Sequence, residues 1–145
     1  MNLQFLTRLY NELDRKVEKF NLPCEKGCCE CCDSIPHITL LEWRLIKKFL
    51  KGQRINKLNK DACPFLIDCA CFIYPVRPVI CRLYGWSYCI SASTHQLEFL
   101  ACKKISVKNP ENFINFKPYW EMITIRSFFL DGGEPKPINE FLKTA

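Results

Sequence analysis

Five cysteines stand within nine residues in the stretch CEKGCCECC, positions 24 to 32, and that density restricts what the rest of the chain can be. Neighbouring cysteines do not readily bond each other. Cys24, Cys28, Cys29, Cys31 and Cys32 must therefore be stapled to distant partners, bind metal or carry redox chemistry. The total of eleven cysteines is odd, which speaks against a complete disulfide framework. The opening residues MNLQFLTRLYNELDRKVEKF set Glu12, Asp14, Arg15 and Lys16 into an apolar pattern, so no secretory leader is expected. No stretch approaches the roughly 18 uninterrupted apolar residues that a membrane span needs. The expected location is cytoplasmic, where thiols stay reduced and are free to take a metal.

The remaining cysteines form two groups, Cys63, Cys69, Cys71 and Cys81, then Cys89 with Cys102. Within the first cluster Cys24, Cys28 and Cys31 have C-x3-C-x2-C spacing, while Cys28/Cys31 and Cys29/Cys32 are interleaved C-x2-C pairs. On a helix Cys28, Cys31 and Cys32 would share one face, with Cys29 pointing elsewhere. Soft thiolates in fours select zinc or an iron-sulfur cluster, both of which bind sulfur in tetrahedral geometry. The cluster is thus read as half of a metal site completed from downstream. Cys29, Cys69 and Cys89 have a plainer reading as small buried hydrophobes. The three-cysteine spacing also invites comparison with enzymes that split S-adenosylmethionine, but that chemistry sits in a large barrel of roughly 200 residues or more. A chain of 145 residues is too short for one.

Charge adds little to the question of partners. The formal net charge of +6 counts every cysteine as a neutral thiol, and ligated sulfurs are thiolates, so the metal-loaded chain approaches neutrality. Nucleic acid is accordingly disfavoured as a partner, and no membrane association is expected. One region is locally basic: Arg44, Lys47, Lys48, Lys51, Arg54, Lys57 and Lys60 follow Glu42 with no acid before Asp61. This is read as a solvated face, with an acidic protein partner, or RNA stacking on Trp43, as the alternative.

The element pattern frames the cysteines with helices. Leu3, Leu6, Leu9, Tyr10, Leu13, Val17 and Phe20 recur at helical spacing and predict an amphipathic helix ending before Pro23. T-L-L-E at Thr39 to Glu42 is a capping box opening a second helix, with Leu41, Leu45, Phe49 and Leu50 facing inward and Gly52 stopping it. From Ala62 to Trp86, Pro64, Pro75 and Pro78 interrupt short apolar runs, which reads as turns, loops and one short strand or helical turn. Leu97 to Ile105 is a candidate strand. From Asn109 helix returns, with Pro110 and Pro118 as starts and Gly132-Gly133 as a stop. The expected fold is one domain over residues 1–145, mainly α with a small α+β arrangement as the alternative. A helical frame would surround an irregular, cysteine-rich metal-binding centre.

Read together, C24-EKG-C28-C-E-C31-C32, the segment Thr39 to Glu42, C63-P-F-L and C71-F-I-Y-P-V-R-P-V-I-C81-R-L-Y resemble the CxxCxxCC, or YkgJ-type, cysteine cluster family of zinc- or iron-chelating proteins. The resemblance spans about residues 24 to 102. It implies metal ligation by Cys24, Cys28, Cys31, Cys32, Cys63, Cys71 and Cys81, with Cys102 as the candidate for an eighth ligand. It implies metal binding and supplies no reaction. Flagellin lysine methylases are similar in their cysteine cluster, which makes a metal-dependent modification enzyme one alternative; a zinc-stabilised adaptor with a basic partner-binding helix is another. Physics adds roles around the cysteines. Pro75 and Pro78 stiffen the loop on either side of Arg77. Arg77 and Arg82 are expected to offset thiolate charge, and Tyr74 and Tyr84 to exclude water. His37 and His95, the only histidines, read as loop residues without a role. The chain is thus expected to hold an iron-sulfur cluster or zinc through thiolates, for structure and for redox or catalytic work.

Overall fold

The computed structural model describes residues 3–20, 29, 32, 34–55, 58–105, 108–131 and 133–143. Helix α1 spans Gln4–Glu18, and its apolar stripe is what buries it. Leu6, Leu9, Tyr10 and Leu13 follow one another at three-, one- and three-residue steps along one face. They meet Leu41, Val79, Leu83 and Ile123 in the first of two cores.

A two-residue strand β1 (His37–Ile38) leads into helix α2 (Leu40–Leu50). The capping box forms as its sequence predicts: Thr39 Oγ1 accepts from the Glu42 amide at 3.2 Å, and Glu42 Oε2 accepts from the Thr39 amide at 2.9 Å. The buried face of α2 departs from expectation, because Leu41, Glu42, Trp43 and Ile46 are buried whereas Leu45, Phe49 and Leu50 are only half-buried. Trp43 stacks on Phe141 with ring centroids 5.7 Å apart, so it offers no platform for a nucleic-acid base. The helix stops at Gly52, whose φ of +83° is a conformation that side chains with a Cβ rarely adopt.

Next comes a hairpin of β2 (Leu66–Ile67) and β3 (Ala70–Cys71), pairing Leu66 with Cys71 and Ile67 with Ala70. Its turn residues Asp68 and Cys69 both have positive φ, 49° and 60°, as a tight two-residue hairpin turn demands. A 3-10 turn at Tyr74–Val76 follows, then the short helix α3 (Val79–Leu83). Pro75 and Pro78 limit both to a few residues.

The chain then forms β4 (Trp86–Ile90) and β5 (Leu97–Ala101), antiparallel with Trp86 opposite Ala101 and Ile90 opposite Leu97. A later strand β6 (Ile114–Asn115) joins β4 in parallel, giving the order β5-β4-β6. Helix α4 (Lys117–Asp131), strand β7 (Lys136–Pro137) and helix α5 (Ile138–Lys143) complete the described elements. Strand β7 pairs with β1, and the Ile138 amide donates to Pro36 at 2.9 Å, which seats α5 against the second core of Ile38, Trp43, Ile46, Phe65, Ile73 and Ile138.

This corrects the expectation of a mainly α fold with one helical frame. Among the described residues, three small sheets stand among the helices. Cross-chain pairing outweighs local propensity in two places. Trp86–Ile90, for which the sequence suggested no element, is a strand through a partner beyond a six-residue turn. Pro110 starts a 3-10 turn at Pro110–Asn112 instead of a helix, because the following residues are claimed by β4: Ile114 pairs with Ser87, and the Phe116 amide donates to Tyr88. Among the described residues no helix is long and apolar enough to cross a membrane.

Candidate functional site

Of the eight cysteines named as ligands, Cys24, Cys28 and Cys31 lie outside the described residues, and the other five are placed. The Cys32 amide donates to the Cys29 carbonyl at 3.0 Å. Cys63 sits in the loop before β2, Cys71 ends β3, and Cys81 lies in α3. Cys102 is buried just after β5, with its amide donating to the Gly85 carbonyl at 2.9 Å.

Cys32, Cys63, Cys71 and Cys81 are brought into one electrostatic neighbourhood. Burial is the largest influence on Cys63 and pushes its thiol up; a Cys32 thiolate pushes it further. Burial likewise raises Cys71, to about 11, and thiolate charge at Cys32 and Cys63 adds to the shift. Cys81 is raised well above the usual thiol value, by burial first and then by charge at Cys63, Cys71, Glu42 and Cys32. Four thiols from four separate segments therefore repel one another when ionised.

Local backbone geometry works in the opposite direction. The amides of Phe65 and Leu66 bond to the Cys63 sulfur, and the Ile73 amide bonds to the Cys71 sulfur, each favouring the thiolate. The C63-P-F-L and C71-F-I strings thus curl their own N–H groups onto their cysteines, an arrangement that stabilises anionic sulfur. Burial and mutual repulsion outweigh these donors in the absence of a cation.

The sulfur-only donor set suits zinc or iron. Among the described residues, however, no three histidine, cysteine, aspartate or glutamate side chains lie close enough together to hold an ion as they stand. Cys29 and Cys69, read from sequence as packing residues, are instead joined as a disulfide with Cα atoms 5.2 Å apart. The bond fastens Cys29 to the tip of the β2–β3 hairpin. Cys89, half-buried in β4, is free.

The arginines turn out differently from expectation. Arg82 is 1% exposed, and its Nη1 donates to both Asp14 oxygens at 2.6 Å while Nη2 and Nε donate to the Pro75 and Arg77 carbonyls. Its guanidinium also lies 4.0 Å from the Tyr10 ring centroid. It fastens α1 to the Pro75–Arg77 loop instead of facing thiolates. Arg77 reaches Asp14 at 3.5 Å and stacks on Tyr74, yet its charge still lowers the Cys71 thiol. Tyr74 is 60% exposed, so it does not wall off water.

Sequence reasoning assigned Glu42 to the capping box alone and missed its second role. The carboxylate is fully buried; Oε1 accepts from the Val79 amide at 2.8 Å and from the Tyr10 hydroxyl at 3.3 Å. Burial raises its pKa, and its bonds to Thr39, Val79 and Tyr10 oppose that shift. The same carboxylate pushes up both the Cys81 thiol and the Tyr10 hydroxyl. One acid thus joins α1, α2 and α3 beside the thiols. A glutamate at the third helical position flanked by apolar Leu41 and Trp43 was the available signal.

Comparison of the chain with protein-family models, with curated proteins and with solved structures finds no match. The resemblance to the CxxCxxCC family therefore rests on the cysteine spacing and the string from Cys71 to Tyr84.

Proposed function

We propose that the chain binds a soft metal centre, zinc or an iron-sulfur cluster, through cysteine thiolates. The observation that carries this reading is the gathering of Cys32, Cys63, Cys71 and Cys81 from separate segments, with backbone amides aimed at two of the sulfurs. Half-buried thiols that repel one another as anions lose that penalty when a cation sits among them, and metal uptake would expel their protons. Cys24, Cys28, Cys31 and Cys102 complete the proposed donor set. A reducing, cytoplasmic setting would keep these thiols available, and the exposed Arg44, Lys47 and Lys48 of α2 would suit an acidic protein partner.

Purification under argon, followed by elemental analysis and an ultraviolet-visible spectrum, tests the reading. Iron with sulfide and a brown colour indicates a cluster, and stoichiometric zinc in colourless protein indicates a tetrahedral thiolate site. Cys81→Ser is expected to lower bound metal, whereas Cys89→Ser leaves it near the parent value. Folded protein free of both metals, or full occupancy in Cys81→Ser, removes the proposal.

A further inference from the structure

Helix α4 is apolar on two opposite sides. Its inner side is already packed: Ile123 and Ser127 are fully buried, and the Leu41 amide of α2 donates to Ser127 Oγ at 3.4 Å. On its outer side Met122, Ile125, Phe128 and Phe129 stand exposed, Phe129 to 81%. Met122, Ile125 and Phe129 follow one another at three- and four-residue steps and form one stripe. Phe128 widens it through an edge contact with Phe129, ring centroids 6.0 Å apart. A helix that is hydrophobic all round is one that is buried all round, and the packing within the chain covers only one side.

The area of the stripe fits a second copy of the same chain. Its four side chains leave about 500 Å² of apolar surface in water, a patch of the size that marks an interaction surface. Two such faces closed on each other remove about 1,000 Å², what a specific interface needs. Among the described residues no other apolar face of the chain could cover it. Tyr74 lies under the Arg77 guanidinium, 3.9 Å from its ring centroid, Ile90 and Leu97 are a single pair at the end of β4 and β5, and Ile35 stands apart. A copy can therefore cover α4 only with its own α4.

The charges at the rim agree. Glu121 pairs with Lys117 one turn earlier at 3.6 Å, and the Arg126 guanidinium lies over the Phe5 ring of α1 at 3.8 Å. An acidic or a basic partner would find no unengaged charge in these three. A like face meets no repulsion, even though the chain as a whole carries +6. Direction follows from the same residues, because parallel packing would set Glu121 against Glu121 and Lys117 against Lys117, whereas antiparallel packing sends the two pairs to opposite ends.

We propose that α4 is the interface of a two-fold homodimer in which two copies of the chain pack antiparallel along Met122, Ile125, Phe128 and Phe129. A two-fold axis beside Ile125 sets each Met122 opposite the partner's Phe129, a thioether against a ring. The contact uses the same patch on both copies and so closes at two. It does not depend on the metal reading.

Sedimentation equilibrium of the full chain as isolated is the test. A species of twice 17.1 kDa is expected, with a dissociation constant in the micromolar range. Ile125→Glu and Phe129→Glu should each weaken the dimer at least about a hundredfold, since each change enters the interface twice. Both side chains face water in the single chain, so the circular dichroism spectrum should stay that of the parent. Ile90→Glu, on another surface, should leave the dimer intact. The parent's melting temperature should rise with protein concentration, and that of Phe129→Glu should not. A monomer at roughly 100 μM overturns the proposal, whether or not it captures a different protein through α4. So do a dimer that persists in both glutamate variants, growth beyond two copies, and a dimer that a thiol reductant alone dissolves.

Discussion

Arg82 holds a charge where almost none of its surface meets water, and it survives there because every face of the guanidinium is engaged. Asp14 supplies the opposing charge, two carbonyls take the remaining donors, and Tyr10 provides an aromatic face. Asp14→Asn keeps the shape and removes the charge, so it should cost about 1.5–3 kcal/mol, the value of a hydrogen bond to a charged group, as read by urea denaturation. Glu42 is a second buried charge with a different consequence. Burial raises its pKa in the folded chain above the unfolded value, so the folded state takes up a proton more readily than the unfolded one. The stability contributed this way is complete below the unfolded glutamate value and is lost as pH rises through the raised folded value. The parent should therefore lose part of its melting temperature on going from about pH 4 toward neutrality, and Glu42→Gln should flatten that decline. Glu42→Gln should also lie below the parent throughout, because one amide replaces an oxygen that accepts from Thr39 or Val79. An unchanged slope in the variant would remove Glu42 as the titrating group.

At the scale of elements, α2 shows what a short run of sequence can determine. Thr39, Glu42 and the apolar residues after them satisfy a helix start with no outside help, and the observed cap has both of its reciprocal bonds. Thr39→Ala should lower stability by about 1 kcal/mol, and because Thr39 is fully buried the loss should be measurable at neutral pH by thermal melting. Helix α1 was equally legible, since its stripe is periodic over four turns. The three-stranded sheet was not. Trp86–Ile90 becomes a strand through five pairings with Leu97–Ala101, and β6 through pairing with residues well over twenty positions earlier, information that no local window contains. The two-residue strands β1 and β7 are less visible still, because each is a strand only by virtue of the other. The candidate site divides in the same way. Its residue types and spacing could be read directly, whereas the engagement of Arg82 with Asp14 depended on α1 lying across α3.

For the molecule as a whole, the cysteines do two different things. Cys63, Cys71 and Cys81 gather with Cys32 from separate segments, Cys81 lying beside Glu42, while Cys29 and Cys69 form a covalent link to the β2–β3 hairpin. The bond spans a sequence separation of 40, and Cys69 sits in a left-handed turn position that its own side chain does not favour. What holds Cys29 at the hairpin is thus partly a loop closure. Closing a loop of this length removes unfolded-state freedom worth about 4 kcal/mol in the chain-entropy account. Cys69→Ser should accordingly lower the free energy of unfolding by about that amount when both proteins are denatured by urea under oxidising conditions at equal metal content. Adding a thiol reductant should bring the parent down to the variant, because the link is then absent from both. A gap that survives full reduction would mean that Cys69 stabilises the hairpin by packing alone, whereas no gap under either condition would mean that the segment at Cys29 is held in place by other contacts.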